Sequence, residues 1–265
     1  GSSANNIGVH IQNGGLVSSG GSGAVAVTGT GGATSSNANK GVLIRGLSES
    51  GLRSTITSAG GDVTVQGTGR GTNDSEYNGG VAIHNGGLVT AGSTGNVLVK
   101  GTGGSSDGRF NNGVAVNGQT AAAQITSSGG HVVVQGKGNG SELSRYNYGI
   151  NVFWGGEINA AGDGTVTVEG TGGNSGIGND YGVLVLNVNN AGDPSTITSS
   201  GGNVSLTGQG GGTGSSANNI GVHIQNGGLV SSGGSGEIEV TGTGGTGSGN
   251  ANKGVLIRGL SESGL

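Results

Sequence analysis

The sequence predicts an all-β protein, a parallel β-helix of about eight coils, each of 33–39 residues and each containing three short strands. Three observations support this fold class. Glycine accounts for 68 of the 265 residues, a six-residue motif recurs along the whole chain, and β-branched residues return at fixed positions in every copy. A right-handed coil is expected, because crossovers between parallel strands are nearly always right-handed.

The composition excludes several other classes of protein. So much glycine does not suit helices, where each interior glycine costs about 1 kcal/mol relative to alanine. One proline and no Gly-X-Y period exclude collagen, and the absence of cysteine excludes disulfides and cysteine-based zinc sites. A net charge of -4 argues against nucleic acid as a partner. No run of 18 apolar residues predicts a transmembrane helix.

Two periods organise the chain. Residues 1–52 return as residues 214–265 with six differences, which gives a long period of 213 residues. The sequence stops in the middle of this repeat, so we expect residues 1–265 to form one solenoid segment of a longer repetitive chain. The short period is marked by Asn-x-Gly-Val-x-Ile, whose glycines are Gly8, Gly41, Gly80, Gly113, Gly149, Gly182, Gly221 and Gly254.

Each short repeat contains three segments in which aliphatic and polar residues alternate, as in strands with one buried face. In the first coil the inward positions are Val9 and Ile11, then Val17, then Val25 and Val27. These positions stay aliphatic in later coils, which a disordered chain has no reason to maintain. One coil cannot offset an ordering cost of about 1–2 kcal/mol per residue, so stability must come from stacking.

The residues between these inward positions are expected to be exposed; Asn151, His10 and His223 are examples. Strand pairing should place each residue about 4.8 Å from its copy in the next coil. An asparagine column precedes the motif glycines: Asn6, Asn39, Asn78, Asn111, Asn147, Asp180, Asn219 and Asn252. We interpret it as a hydrogen-bonded ladder at a turn, where asparagine also tolerates left-handed backbone; a metal or substrate row is the alternative.

A glycine column follows the third strand, and we expect it to supply turns with positive φ. It consists of Gly29, Gly67, Gly101, Gly136, Gly170, Gly208 and Gly242. These glycines form strings that resemble phosphate-binding loops. No helix is predicted after any of them, so that reading fails.

Aromatic residues are few and cluster at one corner. Tyr77, Phe110 and Tyr146 occupy the same repeat position, and Tyr148 and Tyr181 follow two residues later in their coils. Trp154, together with its neighbour Phe153, stands apart at another turn. A stack that stabilises the corner is one interpretation; a platform for sugar rings, formed by Tyr77, Phe110, Tyr146, Tyr148, Tyr181 and Trp154, is the other.

The turn between the first and second strands alternates in length, so even coils project a row of loops about 9–10 Å apart. Loops on rigid scaffolds often carry binding sites. Neutral drift is the alternative, because insertions at turns cost little. We expect this row to contact a neighbouring fibre or a surface ligand; the candidate residues are Arg45, Glu49, Arg53, Gln119, Asp193, Arg258 and Glu262.

The sequence offers little support for catalysis or metal binding. No acidic residue recurs near a histidine, and no Ser-His-Asp or paired-carboxylate arrangement is present. The string that ends at Asp180 resembles a calcium-binding nonapeptide but occurs once. A row of threonines begins at Thr30, but other residue types interrupt it, so it does not form the regular threonine surface that would order ice-like water. We therefore predict no catalytic residue, no metal and no cofactor.

The repeated Asn-x-Gly-Val-x-Ile, followed by Gly-Gly-x-Val and Val-x-Val-x-Gly-x-Gly, resembles the glycine-rich β-strand repeats of giant bacterial surface proteins. These include filamentous-haemagglutinin-like exoproteins and large repetitive adhesins. The resemblance covers the whole chain, but its motifs belong to the architecture and identify no partner. It implies a long, fibrous solenoid that is secreted or displayed on the bacterial cell surface.

Two functions from different classes remain open. In the first, the protein is a structural fibre or stalk that associates with itself, end to end or side by side. In the second, it is an adhesin that binds a glycan or a cell surface through its lateral loops. A polysaccharide-acting β-helix enzyme is a distant third. The near-identical duplication favours the first, because tandem copies add length without adding new sites.

Overall fold

The computed structural model confirms a parallel β-helix and describes residues 5–187 and 194–259. In that part of the chain, each coil contributes one strand to each of three parallel sheets. There are seven complete coils and the first strand of an eighth. The handedness of the coil stays a prediction.

The first sheet contains the first strand of every coil: β1 (Val9–Gln12), β4 (Val42–Arg45), β7 (Val81–His84), β10 (Val114–Asn117), β13 (Ile150–Phe153), β16 (Val183–Leu186), β19 (Val222–Gln225) and β22 (Val255–Arg258). The second sheet contains β2 (Leu16–Ser19), β5 (Thr55–Ser58), β8 (Leu88–Ala91), β11 (Ala123–Ser127), β14 (Gly156–Ala160), β17 (Thr196–Ser199) and β20 (Leu229–Ser232). The third contains β3 (Val25–Thr30), β6 (Val63–Thr68), β9 (Val97–Thr102), β12 (Val132–Lys137), β15 (Val166–Thr171), β18 (Val204–Gln209) and β21 (Ile238–Thr243).

The register of the sheets follows the repeat. Val9 lies opposite Val42, Val42 opposite Val81, and the same order continues through the first sheet. The inward columns are confirmed, because their members in the middle coils are 0% exposed. Exposure rises in the outermost coils, where Val17 is 37% exposed, since each coil is covered only by its neighbours.

The glycine column allows close backbone contact between coils and does not form the positive-φ turns that were expected. Gly101 and its column mates lie within the third strands and do not have positive φ. A β-carbon on Gly101 would overlap the carbonyl oxygen of Gly113, and Gly67 has the same relation to Gly80. The expectation of positive-φ turns is therefore wrong. The column is glycine because the third strand passes directly against the backbone of the next coil's motif glycine.

Left-handed backbone occurs one residue before the asparagine column, and not in that column itself. At this repeat position, positive φ is found at Asn5, Ala38, Tyr77, Phe110, Tyr146, Asn179, Asn218 and Ala251. Asparagine accepts this geometry readily, whereas a bulky residue there is an outlier. The tight turn after the first strand has a second such position, with φ of 43° to 55° at Asn13, Asn85, Trp154 and Asn226.

Candidate ligand-binding site

The outer face of the first sheet is covered along much of its length, although the alternation predicted exposure. Leu43, Ala82, Asn151, Leu184 and His223 point away from the core, yet each is at most 6% exposed. The expectation that Asn151 and His223 are exposed is therefore wrong. Aromatic side chains from the neighbouring corner lie over this face; the ring of Tyr181, for example, meets that of His223 edge-on at 5.2 Å.

One aromatic group is a stack of three rings. Tyr77 lies 5.1 Å from Phe110, and Phe110 lies 5.5 Å from Tyr146, between ring centroids, with interplanar angles of 18° and 17°. The guanidinium of Arg109 sits 5.7 Å from the Phe110 centroid. Because the rings cover one another's faces, the corner presents mainly ring edges along the fibre and not an open row of faces.

A second aromatic group extends from the same corner across the first sheet. Tyr148 stacks on Tyr181 at 5.3 Å and contacts Phe153 at 6.3 Å; Phe153 meets Trp154 edge-on at 5.5 Å. Phe153 and Trp154 therefore do not stand apart, as the sequence suggested. The ring of Phe153 links Trp154 to Tyr148 across the outer face of the first sheet.

Four aromatic residues occupy left-handed backbone positions. Tyr77, Phe110, Tyr146 and Trp154 have φ of 61°, 62°, 58° and 48°. Other coils place asparagine or alanine at these positions, so the backbone does not require aromatic side chains there. A left-handed conformation costs such a residue on the order of 1–3 kcal/mol. This cost makes the four side chains candidates for a role beyond folding.

Three of these aromatics surround a hollow on the outer face of the first sheet, which we call the sheet-one hollow. Its floor carries small residues, Gly79, Ala82 and Ala115, and its volume is about 220 Å³. That is the space of about seven water molecules in the liquid. The remaining residues that line it are Lys40, Tyr77, His84, Phe110, Asn112, Asn117, Asn151, Phe153 and Trp154.

One buried side-chain oxygen of a residue that lines the hollow has no hydrogen-bond partner. The Oδ1 atom of Asn151 is buried and accepts no hydrogen bond, and the residue is 6% exposed. By contrast, Oδ1 of Asn112 accepts a hydrogen bond from the backbone N–H of Tyr148 at 2.9 Å. An unsatisfied buried acceptor costs about 1–3 kcal/mol, so Asn151 is a residue that the fold alone does not explain.

Two basic residues flank β4 near the hollow, Lys40 before the start of the strand and Arg45 at its end. Lys40 donates a hydrogen bond from Nζ to the carbonyl oxygen of Tyr77 at 3.0 Å. Burial, and then the charge of Arg45, lower the pKa of Lys40 to about 8. Burial, followed by the charges of Lys40 and Arg45, lowers the pKa of His84 to about 3, so its ring is neutral at neutral pH. The described residues contain one ion pair, Arg109 with Glu76, and it leaves these cations uncompensated.

The asparagine column forms the predicted ladder. Asn39 donates from Nδ2 to Oδ1 of Asn78, and Asn78 donates likewise to Asn111, both at 3.0 Å. Asp180 interrupts the ladder, because a carboxylate has no N–H to donate to Asn219. Burial raises the pKa of Asp180 to about 7, against hydrogen bonds from Ser175 and Asn147 that lower it.

The lateral loops differ in how free their side chains are. Arg53 donates from Nε to the carbonyl oxygen of Gly86 and from Nη2 to those of Gly87 and Ala122, at 2.9–3.0 Å. It thus braces the next two coils and is not free for a partner. Arg45, Glu49, Gln119 and Arg258 are exposed, although Arg258 also bonds Oε1 of Gln225 at 2.7 Å. Asp193 and Glu262 lie outside the described residues.

The outer face of the third sheet forms a larger, shallow and polar groove of about 640 Å³. Threonine, glutamine and lysine line it, and Glu169 is the one carboxylate among these described lining residues, held by Nε2 of Gln135 at 2.7 Å. Across residues 5–187 and 194–259, no group of three or more histidine, aspartate or glutamate side chains could hold a metal ion.

Comparison of the chain with protein-family models, curated proteins and solved structures found no match. The part of the chain that the structure describes contains no helix long and apolar enough to cross a membrane. The fold defines the class of protein as a parallel β-solenoid.

Proposed function

We propose that the protein is a structural rod, a fibre or stalk whose length is set by the number of stacked coils. One observation carries this proposal. The second copy of the duplicated segment continues all three sheets without a break. Val222 pairs with Val255 as Val9 pairs with Val42, and β16 covers β19 on its other side.

This in-register junction has a mechanical consequence. The 213-residue period corresponds to six coils, so each added period lengthens the rod by about 29 Å at 4.8 Å per coil. The cross-section stays the same, because the new strands extend existing hydrogen-bonded ladders. A side-by-side or end-to-end association of rods, outside the cell or on its surface, would then build a longer fibre.

Proteins with one, two and three tandem copies of residues 1–213 test the proposal. We expect electron microscopy to show straight rods of constant width that lengthen by about 29 Å per copy. A matched control places a flexible Gly-Ser linker between the copies, and it should bend at each junction. Separate beads in the unmodified series, with no constant angle between them, would contradict a structural rod.

A further inference from the structure

The rod does not need the sheet-one hollow. One column on the outer face of the first sheet runs from Leu43 through Ala82, Ala115 and Asn151 to Leu184, each residue paired with the next. Both leucines are at most 5% exposed, so a large apolar side chain at this position suits the fold. The two alanines between them therefore leave open a space that larger side chains occupy elsewhere in the column.

The surface of this space is mainly apolar. Ala82 and Ala115 lie side by side on its floor, and Gly79 adds to the room. A β-carbon on Gly79 would meet only the carbonyl oxygen of Asn112, at 3.6 Å. The aromatic side chains that line the hollow are Tyr77, Phe110, Phe153 and Trp154. A ligand that fits here must bury an apolar body.

Lys40 is the one charged residue among the described residues that line the hollow. Its Nζ donates one hydrogen bond, to the carbonyl oxygen of Tyr77, and an ammonium has three N–H groups. No carboxylate of the described residues pairs with it, and Arg45 adds a second positive charge nearby. His84 is neutral at neutral pH. The field at this end of the hollow is therefore positive, and a carboxylate is the group that offsets it.

The two ends of the hollow lie in different coils. Lys40 precedes β4 in the second coil, whereas Phe153 ends β13 in the fifth, so about 14 Å along the rod axis separates their backbones at 4.8 Å per coil. Only an elongated molecule extends from the ammonium of Lys40 toward the ring of Phe153. A methylene group is about as large as a water molecule, so a volume of about 220 Å³ holds a tail of about seven carbons.

We infer that the sheet-one hollow binds an unbranched carboxylate of about eight carbons. The carboxylate accepts a hydrogen bond from Nζ of Lys40, which keeps its bond to Tyr77. The apolar tail lies over Ala82 and Ala115 and points toward Phe153. This site is independent of the proposed rod, because the inward columns that hold the coils together lie on the other face of the sheet.

Binding can be followed by fluorescence, because Trp154 is the single tryptophan of the chain and lines the hollow. The probes are hexanoate, octanoate, decanoate and octanamide. Each buried methylene strengthens binding about fourfold, so octanoate should bind about fifteenfold more tightly than hexanoate. Decanoate should gain less than about twofold over octanoate, since the hollow has no room for two more carbons.

Octanamide isolates the contribution of charge, because it replaces the carboxylate of octanoate with a neutral amide. We expect octanoate to bind at least about tenfold more tightly than octanamide, since the bond from the ammonium is then charge-assisted on both sides. Calorimetry should give the same affinities with one site per hollow.

Two substitutions separate the parts of the site. Lys40→Met should remove the preference for octanoate and leave the weaker binding of octanamide. Ala115→Leu introduces the residue that its column carries at Leu184; it should fill the hollow and weaken both probes at least about tenfold. Lys137→Met and Ala59→Leu, at exposed positions away from the hollow, are the matched controls and should change neither affinity.

Circular dichroism and rod length verify that each variant keeps its fold. The inference is overturned if octanoate does not bind at tens of millimolar, or if it binds no more tightly than octanamide. It is also overturned if octanoate binding survives Ala115→Leu unchanged, or if affinity still rises about fourfold per methylene beyond octanoate, as on an open apolar surface. None of these results alters the rod length per copy, so the two proposals fail separately.

Discussion

Replacing Asp180 with asparagine should stabilise the protein in a pH-dependent way. Asp180 is 0% exposed and occupies a column that is otherwise asparagine. Its carboxylate accepts hydrogen bonds from the backbone N–H of Asn147 at 2.8 Å and from Nδ2 of the same residue at 3.1 Å. The backbone N–H of Asp180 donates to Oδ1 of Asn219 at 3.1 Å. The carboxylate of Asp180 has no N–H with which to donate a second hydrogen bond to that oxygen. An amide would keep the two bonds accepted from Asn147 and would provide an N–H donor; its bond with Ser175 would reverse, so that Nδ2 donates to the serine hydroxyl as Asn147 does to Ser144.

The magnitude follows from the raised pKa. Burial raises the pKa of Asp180 from 3.8 to about 7, so the folded protein binds more protons than the unfolded chain between these values. Stability is therefore lost as the pH rises from about 4 to 7. At about 1.36 kcal/mol per pKa unit, the penalty is below about 1 kcal/mol at pH 4 and reaches a ceiling of about 4 kcal/mol at pH 8.

Urea unfolding followed by circular dichroism at pH 4 and pH 8 measures this difference. We expect Asp180→Asn to gain about 2–4 kcal/mol at pH 8 and less than about 1 kcal/mol at pH 4. Asp74→Asn, at an exposed position, should stay within about 0.5 kcal/mol at both values. An equal gain at both pH values would refute the charge argument, since a restored hydrogen bond alone does not depend on pH.

Two further predictions concern backbone packing and a buried histidine. Gly101→Ala should destabilise the protein by about 1–3 kcal/mol, because the new β-carbon would overlap the backbone of Gly113. Gly20→Ala is the control, since a β-carbon there would meet no atom within 4 Å. Equal urea midpoints for the two variants would show that the backbones of Gly101 and Gly113 are not in contact. Burial, then the charges of Arg258 and Lys253, lowers the pKa of His223 to about 4. In the Asp180→Asn background, stability should therefore fall as the pH drops from 6.5 to 4. His223→Leu should reduce that slope without abolishing it, because the lowered pKa of His84 acts in the same pH range; an unchanged slope would place the acid sensitivity elsewhere.

The inner columns could be predicted from the sequence, and the reason is physical. In a parallel stack each inward residue contacts its own copy in the next coil, so the requirement at Val9 is the same at Val42 and Val81. The repeat therefore carries the register directly. The asparagine ladder was predictable for the same reason, since each amide bonds to the amide one coil away.

The outer face could not be predicted in the same way. Alternation predicts that Asn151 is exposed, but it does not encode the ring contacts on that face, such as the one between Tyr148 and Phe153. The role of Gly101 also stayed hidden, because the sequence does not show which backbone approaches it. The position before each column asparagine did contain one clue to the outer face, the change from a small residue to an aromatic one. Tyr77 stands at a left-handed position that Ala38 occupies in the preceding coil, and a bulky side chain is unfavourable for the backbone there.

This signal suggests how function should be sought on such a solenoid. Stacking constrains every inward residue, whereas an outward residue is free to vary as long as it does not harm its neighbours. Drift at outward positions should then favour residues that suit the local backbone, such as asparagine at left-handed turns. Residues that oppose this preference, such as Trp154 where Asn13, Asn85 and Asn226 stand in other coils, carry a cost to folding. Where several of them surround one cavity together with an unsatisfied acceptor, as Tyr77, Phe110 and Trp154 do beside Asn151, a test for ligand binding should begin.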